Sequence, residues 1–291
     1  MKFPDFFVIE ITNRCNIKCP ACPWHTCMKR NIKDMTFDEY VIIMKKILPY
    51  VKTVCLYLMG EPFLNKDLRN IVNYTKSLGK KVILSSNGML IKQNLDWIQN
   101  SNIDYLQIAL DGFTNESHEA YRIGSNFNTI MEGLNLLSKL KADGTLQTEI
   151  AIQTLVNKYN ESELEQIKEF AENSGFTFHT KNMHYGRTKE LYEKNSKLFR
   201  PTSKKNNRYI GQSFYSRSDY CPELDKAVIL SNGNLVACCI DYDGITTWGN
   251  IFDDSFENIW QSEQRKKFLK TFAAKKNFFC NECDMIYDLV Y

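Results

Sequence analysis

Cys15, Cys19 and Cys22 fall within eight residues of one another in the segment Cys15-Asn-Ile-Lys-Cys19-Pro-Ala-Cys22. Their shared chemistry is thiolate ligation. A four-iron cluster held by three protein thiolates keeps one iron free of protein, whereas electron-transfer clusters usually fill every position with cysteine. A free iron can bind a molecule and reduce it. Packed or disulfide-bonded thiols are an alternative, but pairing is strained in so short a loop beside Pro20. Zinc accepts the same ligands, and spacing alone does not exclude it.

A second set, Cys221, Cys238, Cys280 and Cys283, closes on a Cys-x-x-Cys pair. Four thiols in this grouping suit one further cluster with a full set of protein ligands, or a zinc ribbon. Cys238 is chosen over the adjacent Cys239 for its spacing from Gly233. Cys27, Cys55 and Cys239 remain unassigned, and free cysteine is ordinarily a small buried hydrophobe.

Strand-length apolar runs bounded by turn residues recur at 6–11, 53–59, 81–85, 105–110, 149–155 and 176–180. Helical periodicity lies between them at 37–48, 68–78, 90–98, 127–140 and 161–173, with Thr36 and Asn160 read as N-caps. Such alternation predicts a parallel sheet with right-handed crossovers, in this case an α/β fold built as an open, partial (β/α)6 barrel, with chemistry at the carboxyl ends of its strands. The first cysteine loop falls at such an end. Periodicity lapses from Ser196 to Tyr220, where Lys197, Arg200, Lys204, Lys205, Arg208 and Arg217 face a single acid, Asp219. That segment reads as a solvated linker, or as a lid over an acidic or phosphorylated substrate. The expected divisions are therefore a barrel at 1–195, a linker or lid at 196–220 and a cysteine-bearing extension at 221–291. The stretch from Leu230 to Cys239 reads as a hairpin turning at Gly233, with a helix after it.

Ile9-Glu-Ile-Thr-Asn-Arg14 followed by the triad resembles the opening strand and cluster loop of radical S-adenosylmethionine enzymes. Further motifs follow in order. Gly60-Glu61-Pro62, after the second strand, is similar to the turn that receives the methionyl amino group. Ser85-Ser86-Asn87-Gly88 resembles the polar turn beside the ribose and carboxylate, and Ala109-Leu110-Asp111-Gly112 leading to Tyr121-Arg122 resembles the pattern in which an arginine grips the cofactor carboxylate. Gln153 is a further candidate for a hydrogen bond to cofactor or substrate. The second cysteine set resembles a small α+β twitch extension, the shorter relative of the SPASM domain. Gly249-Asn-Ile and Ser255 to Trp260 continue that likeness. One departure stands out: Ala21 occupies the place before the third cysteine where the family has an aromatic near the adenine. Trp24 and His25 follow directly and are candidate pocket walls.

The resemblance implies S-adenosylmethionine, two four-iron clusters, and an electron donor such as flavodoxin or ferredoxin. It also implies reductive cleavage to a 5'-deoxyadenosyl radical and hydrogen abstraction from a substrate carbon. Dehydrogenation of a sugar or aminocyclitol is the leading expectation. Epimerisation with a cysteine hydrogen donor, Cys239 foremost, is the alternative, as are peptide modification and an iron-sulfur or zinc scaffold without turnover. Lys181, Asn182, His184 and Arg187, after the sixth run, are candidate proton-handling groups.

Composition constrains partners. Lys and Arg total 37 against 34 acids, a net charge of +3 that gives no field for nucleic acid. Hydrophobic residues at 43% and charged residues at 24% fit a packed soluble chain. No apolar run is long enough to span a membrane, and residues 1–10, broken by Pro4 and Asp5, lack a secretory pattern. Ten cysteines without an export signal lead to the expectation of metal binding in a reducing cytoplasm.

Overall fold

A computed structural model of the chain describes residues 2–185, 189–206, 220–281 and 283. Six parallel strands carry the barrel: β1 (Phe6–Ile9), β2 (Thr53–Cys55), β3 (Lys81–Ser86), β4 (Tyr105–Ala109), β5 (Glu149–Val156) and β6 (Thr177–Asn182). The helices of the barrel are α1 (Pro23–Thr26), α2 (Phe37–Ile47), α3 (Leu68–Ser77), α4 (Leu95–Asn100), α5 (Asn115–Glu119), α6 (Phe127–Ala142), α7 (Leu164–Asn173) and α8 (Lys189–Phe199). The extension adds β7 (Ala227–Ile229), β8 (Asn234–Val236), β9 (Gly249–Asn250), α9 (Phe256–Trp260) and α10 (Glu263–Ala273).

Among the described residues all the strands join one sheet, ordered β6-β5-β4-β3-β2-β1-β7-β8-β9. β7 runs parallel to β1, with Val8 opposite Val228, so the extension continues the barrel's own sheet. Laid flat, β6 and β8 would stand roughly 34 Å apart at the usual strand spacing. Yet His184, just past β6, and Tyr242, beyond β8, line one small space. The sheet is curled until its two ends face each other.

Alternation along the strands sorts side chains between two faces. Phe7, Ile9, Val54, Leu84, Leu106, Ile108, Ile150 and Ile152 point outward into one large apolar core with the helices. Val8, Cys55, Ile83, Val228 and Val236 point inward. No helix among the described residues is long and apolar enough to cross a membrane.

Several boundaries differ from those expected. Thr36 caps α2 through a full capping box with Glu39, as its position implied. Asn160 caps nothing. It is buried and spends its side chain on Asn157 N, Asp111 O and Leu155 O, so α7 starts only at Leu164. The apolar run 53–59 predicts a strand to Met59, but pairing ends at Cys55, because the chain then bends to carry Gly60 under the cysteine loop. In the 90–98 region a short 3-10 turn at Lys92–Asn94 precedes α4. Lys181 and Asn182 lie within β6 rather than after it.

The expected linker is partly helical: α8 crosses the 195/196 boundary and ends at Phe199, whose buried ring meets Tyr121 edge-on at 5.3 Å. Arg200 then bonds Tyr192 Oη at 2.8 Å, and Lys204 and Lys205 sit in a 3-10 turn. Arg187, Arg208, Arg217 and Asp219 lie outside the described residues. The predicted hairpin is present, with Gly233 at φ 87° and its amide on Leu230 O. A Cβ there would meet the Phe252 ring at 2.5 Å, which only glycine avoids.

Candidate active site

The first cysteine loop leaves β1 and is braced by the next three strand ends. Gly60 lies so close beneath it that a Cβ would stand 2.5 Å from Thr12 O and 2.6 Å from Arg14 O. Glu61 N donates to Arg14 O at 2.7 Å, and Pro62 opens a short 3-10 turn. The Glu61 carboxylate is 2% exposed and receives Ser86 Oγ at 2.9 Å, Asn87 N at 2.7 Å and Phe63 N at 3.3 Å. Burial pushes its pKa from 4.5 up to about 7, partly offset by the Asn87 amide and the Ser86 hydroxyl. Asn87 Nδ2 in turn donates to Asn16 Oδ1 at 2.7 Å and lies 3.9 Å from Cys15 Sγ. Gly60, Glu61, Pro62, Ser86 and Asn87, which the motifs marked, thus form one brace around Cys15.

Arg122 comes from just past α5 and reaches the same loop from the other side. Its Nε bonds Asp111 Oδ2 at 2.6 Å and its Nη1 stands 3.7 Å from Cys19 Sγ. Asp111, fully buried, also accepts Leu155 N at 2.7 Å through Oδ1. Burial opposes the guanidinium's charge, but Asp111 and Cys19 outweigh it and raise the Arg122 pKa. Asp111 was quoted in the sequence only as part of a turn. Its role as the buried counter-ion is set by how β4 and β5 meet.

The triad itself lies in an apolar setting with Ile17, Ala21, Tyr121, Met183, Tyr185 and Phe199. Burial pushes all three thiols up, Cys22 to about 12, with Cys19 and Cys15 adding to the effect there. Thiols so placed ionise readily only together with a positive metal, and Arg122 supplies one fixed cation at the edge. Among the described residues no three His, Cys, Asp or Glu side chains close around a point as ligands of a single ion would. Tyr121, Tyr185, Tyr192 and Phe199 bring aromatic rings into the same apolar group as Ala21. Trp24 and His25 sit on α1 outside it.

In the extension, Cys238, Cys280 and Cys283 are buried in the main apolar core, and Cys221 packs against it. Burial pushes Cys238 up, with Cys239, Cys283 and Cys280 adding to it, so Cys238 faces the Cys-x-x-Cys pair. Cys239 turns the other way. Its Sγ lies 3.5 Å from Glu223 Oε2, and burial together with that carboxylate pushes it up to about 12. Glu223 also pairs with Lys226, whose ammonium stands 5.6 Å from the Phe6 ring centre. Burial pushes the Tyr57 phenol up, with Cys55, Cys239 and Tyr105 adding to it, so these groups gather around Tyr57 on the inner face.

The inner face continues upward as a polar wall. Ser85, Gln107 and Gln153 are half-buried there, and His179 and Lys181 are exposed. Of these five, the sequence marks Gln153 for a cofactor or substrate hydrogen bond, Ser85 within the polar-turn motif and Lys181 as a proton-handling candidate, and it gives no sign of Gln107 or His179. Glu223 and Lys226 were missed, although their spacing of three beside Cys221 is a readable ion-pair signal. Among the other candidates, His184 follows β6 at the rim, where it lines a small space with Ala21, Cys27 and Tyr242. Cys27 Sγ meets Tyr242 Oη at 3.2 Å, and Cys55 is buried.

A family profile described as the radical SAM superfamily matches residues 9–171, and one for the SPASM iron-sulfur cluster-binding domain matches 221–284. The chain belongs to the radical SAM superfamily and carries a C-terminal domain of the SPASM and twitch kind. A four-iron cluster, S-adenosylmethionine and further iron-sulfur binding come with that membership. Among curated relatives, the AdoMet-dependent heme synthase of Methanosarcina barkeri is 26% identical over 174 residues, covering 59% of this chain and 48% of that one. The chain spans about half the length of such relatives. The solved structure of BtrN in complex with AdoMet and 2-DOIA aligns with a TM-score of 0.61 at 16% identity, covering 97% of this chain and 94% of that one. Streptococcus suis SuiB bound to precursor peptide SuiA aligns at 0.68 and 17% identity, covering 99% and 71%.

Proposed function

We propose that this radical SAM enzyme abstracts hydrogen from a small polar molecule of the sugar or aminocyclitol type and oxidises it at a carbinol carbon. The observation that supports this is the inner wall of Ser85, Gln107, Gln153, His179 and Lys181, which offers hydrogen-bonding groups rather than an apolar lining. The fold likeness to BtrN, solved in complex with AdoMet and 2-DOIA, agrees with a small substrate. Bound S-adenosylmethionine and its cluster supply a 5'-deoxyadenosyl radical, and an auxiliary cluster supplies an electron acceptor for the oxidation.

In this reading Cys15, Cys19 and Cys22 hold the first cluster, and Cys221, Cys238, Cys280 and Cys283 hold a single auxiliary one. Arg122, anchored by Asp111, pairs with the cofactor carboxylate. Glu61, Ser86 and Asn87 shape the seat of its amino group and ribose, and Gly60 and Pro62 fix the turn. A donor of the flavodoxin or ferredoxin kind reduces the protein. The curled sheet keeps the substrate carbon near the cofactor and away from bulk water.

Cys239 favours a second outcome. An S–H bond is weaker than the C–H bond it would replace, so a thiol on this wall can return a hydrogen atom to a substrate radical. The C–H bond then forms on the opposite face, and one electron from the same kind of donor, with one proton, restores the thiol. The product would be an epimer.

The test is anaerobic incubation of iron-reconstituted protein with dithionite, S-adenosylmethionine and candidate sugars, followed by chromatography and mass spectrometry. Oxidation predicts 5'-deoxyadenosine and a product two hydrogens lighter. Epimerisation predicts one deuterium from D2O, lost in Cys239→Ala. Absence of 5'-deoxyadenosine throughout would reject the radical reading.

A further inference from the structure

Ser85, Gln107 and Gln153 are linked across three adjoining strands. Gln153 Nε2 donates to Gln107 Oε1 at 3.1 Å, and Gln107 Nε2 donates to Ser85 Oγ at 3.1 Å. Gln107 has therefore used its carbonyl and one N–H within the chain, and its amide is held from both sides. Gln153 has used a single N–H. Its Oε1 receives no hydrogen bond among the described residues, and a second N–H remains.

The strand register decides where that end points. Gln153 pairs with Ala109 on β4 and with His179 on β6. The alanine presents only a methyl group, which leaves room beside the amide. Two residues further on, Leu155 packs with the apolar group around the cysteine triad. Gln153 is thus the last polar inner-face residue of β5 before the seat of the first cluster.

The geometry points to Gln153 as the residue that reads one substrate hydroxyl, accepting its hydrogen bond at Oε1, with Gln107 and Ser85 as positioning residues that stop the amide from rotating. The substrate class is a hydroxylated small molecule, gripped at the carbinol end nearest the cofactor. This inference rests on the proposed radical chemistry at the same site.

The experiment measures 5'-deoxyadenosine formation in reconstituted protein with myo-inositol, glucosamine or a serine-containing peptide as probe. A hydroxylated small probe should accelerate it above the rate without probe. Gln153→Leu should raise KM for that probe about tenfold with a smaller change in kcat, as loss of one hydrogen bond implies. Gln107→Leu should do the same, whereas Gln107→Glu, which still accepts from Gln153, should restore KM to within about twofold. Iron content and circular dichroism establish that each variant is folded and loaded. No 5'-deoxyadenosine from wild type would sink the radical reading itself. Formation that no small probe accelerates, acceleration by the peptide alone, or an unchanged KM in Gln153→Leu would overturn the hydroxyl assignment.

Discussion

Glu61 illustrates how burial converts an ordinary carboxylate into a responsive one. It is held protonated up to about pH 7 in the folded chain, against 4.5 for an unperturbed glutamate. Between those values the folded state binds the extra proton, so this residue's contribution to stability falls as pH rises through that window. A cofactor ammonium beside it would favour ionisation, and S-adenosylmethionine affinity should therefore strengthen as pH rises towards about 7 and level off above it. Titration calorimetry across pH 6 to 8 on reconstituted protein checks this, with Glu61→Gln expected to flatten the profile. At the same scale, Asp111→Asn leaves the Arg122 charge without its buried partner and should cost about 3 kcal/mol in urea unfolding. The sequence exposed both loops through Gly60-Glu61-Pro62 and Ala109-Leu110-Asp111-Gly112. It could not show that the carboxylate of Glu61 faces Ser86 and Asn87, because that contact joins residues more than twenty positions apart.

At the level of elements, periodicity located each barrel strand and most helices, because each strand buries one face in the helical core and the intervening helices cover it. The errors lie where a residue's local signal was used elsewhere. Asn160 looked like a cap and instead ties the β5 loop to Asp111 O. The run after β2 was apolar enough for a strand, yet the backbone had to turn for Gly60 to meet the cysteine loop. Gly60→Ala should therefore displace that loop, and the purified variant should lose roughly four irons per chain while keeping its helical circular dichroism. Thr36→Ala removes the capping box of α2 and should lower stability by about 1 kcal/mol without altering iron content.

For the whole molecule, the decisive contact is between parts distant in sequence. Arg30, from the segment after the triad, grips both oxygens of the fully buried Glu10 at 2.8 Å. Glu10 also accepts Ser231 N at 3.0 Å, and Asp243 accepts Lys29 N at 2.7 Å. The extension's hairpin and the loop following the first cysteines are thus tied at one point. Arg30→Met should lower unfolding stability by about 3 kcal/mol or more, since it strands a buried carboxylate, and calorimetry should show barrel and extension no longer melting together. Replacing Cys15, Cys19 and Cys22 together by Ala should leave about four irons per chain, held by the extension. Iron analysis near zero would contradict the second cluster.

By itself the chain marked its superfamily, its barrel strands and most of its helices, because ligand spacing, turn glycines and hydrophobic period are local properties carried by neighbouring residues. Only the tertiary structure decided what lines the inner face of the curled sheet. Curling the sheet brings His184 to Tyr242, register aligns Gln153 with Ala109 and His179, and β7 docks on β1, and each of these depends on pairings across long stretches of chain that no local pattern encodes.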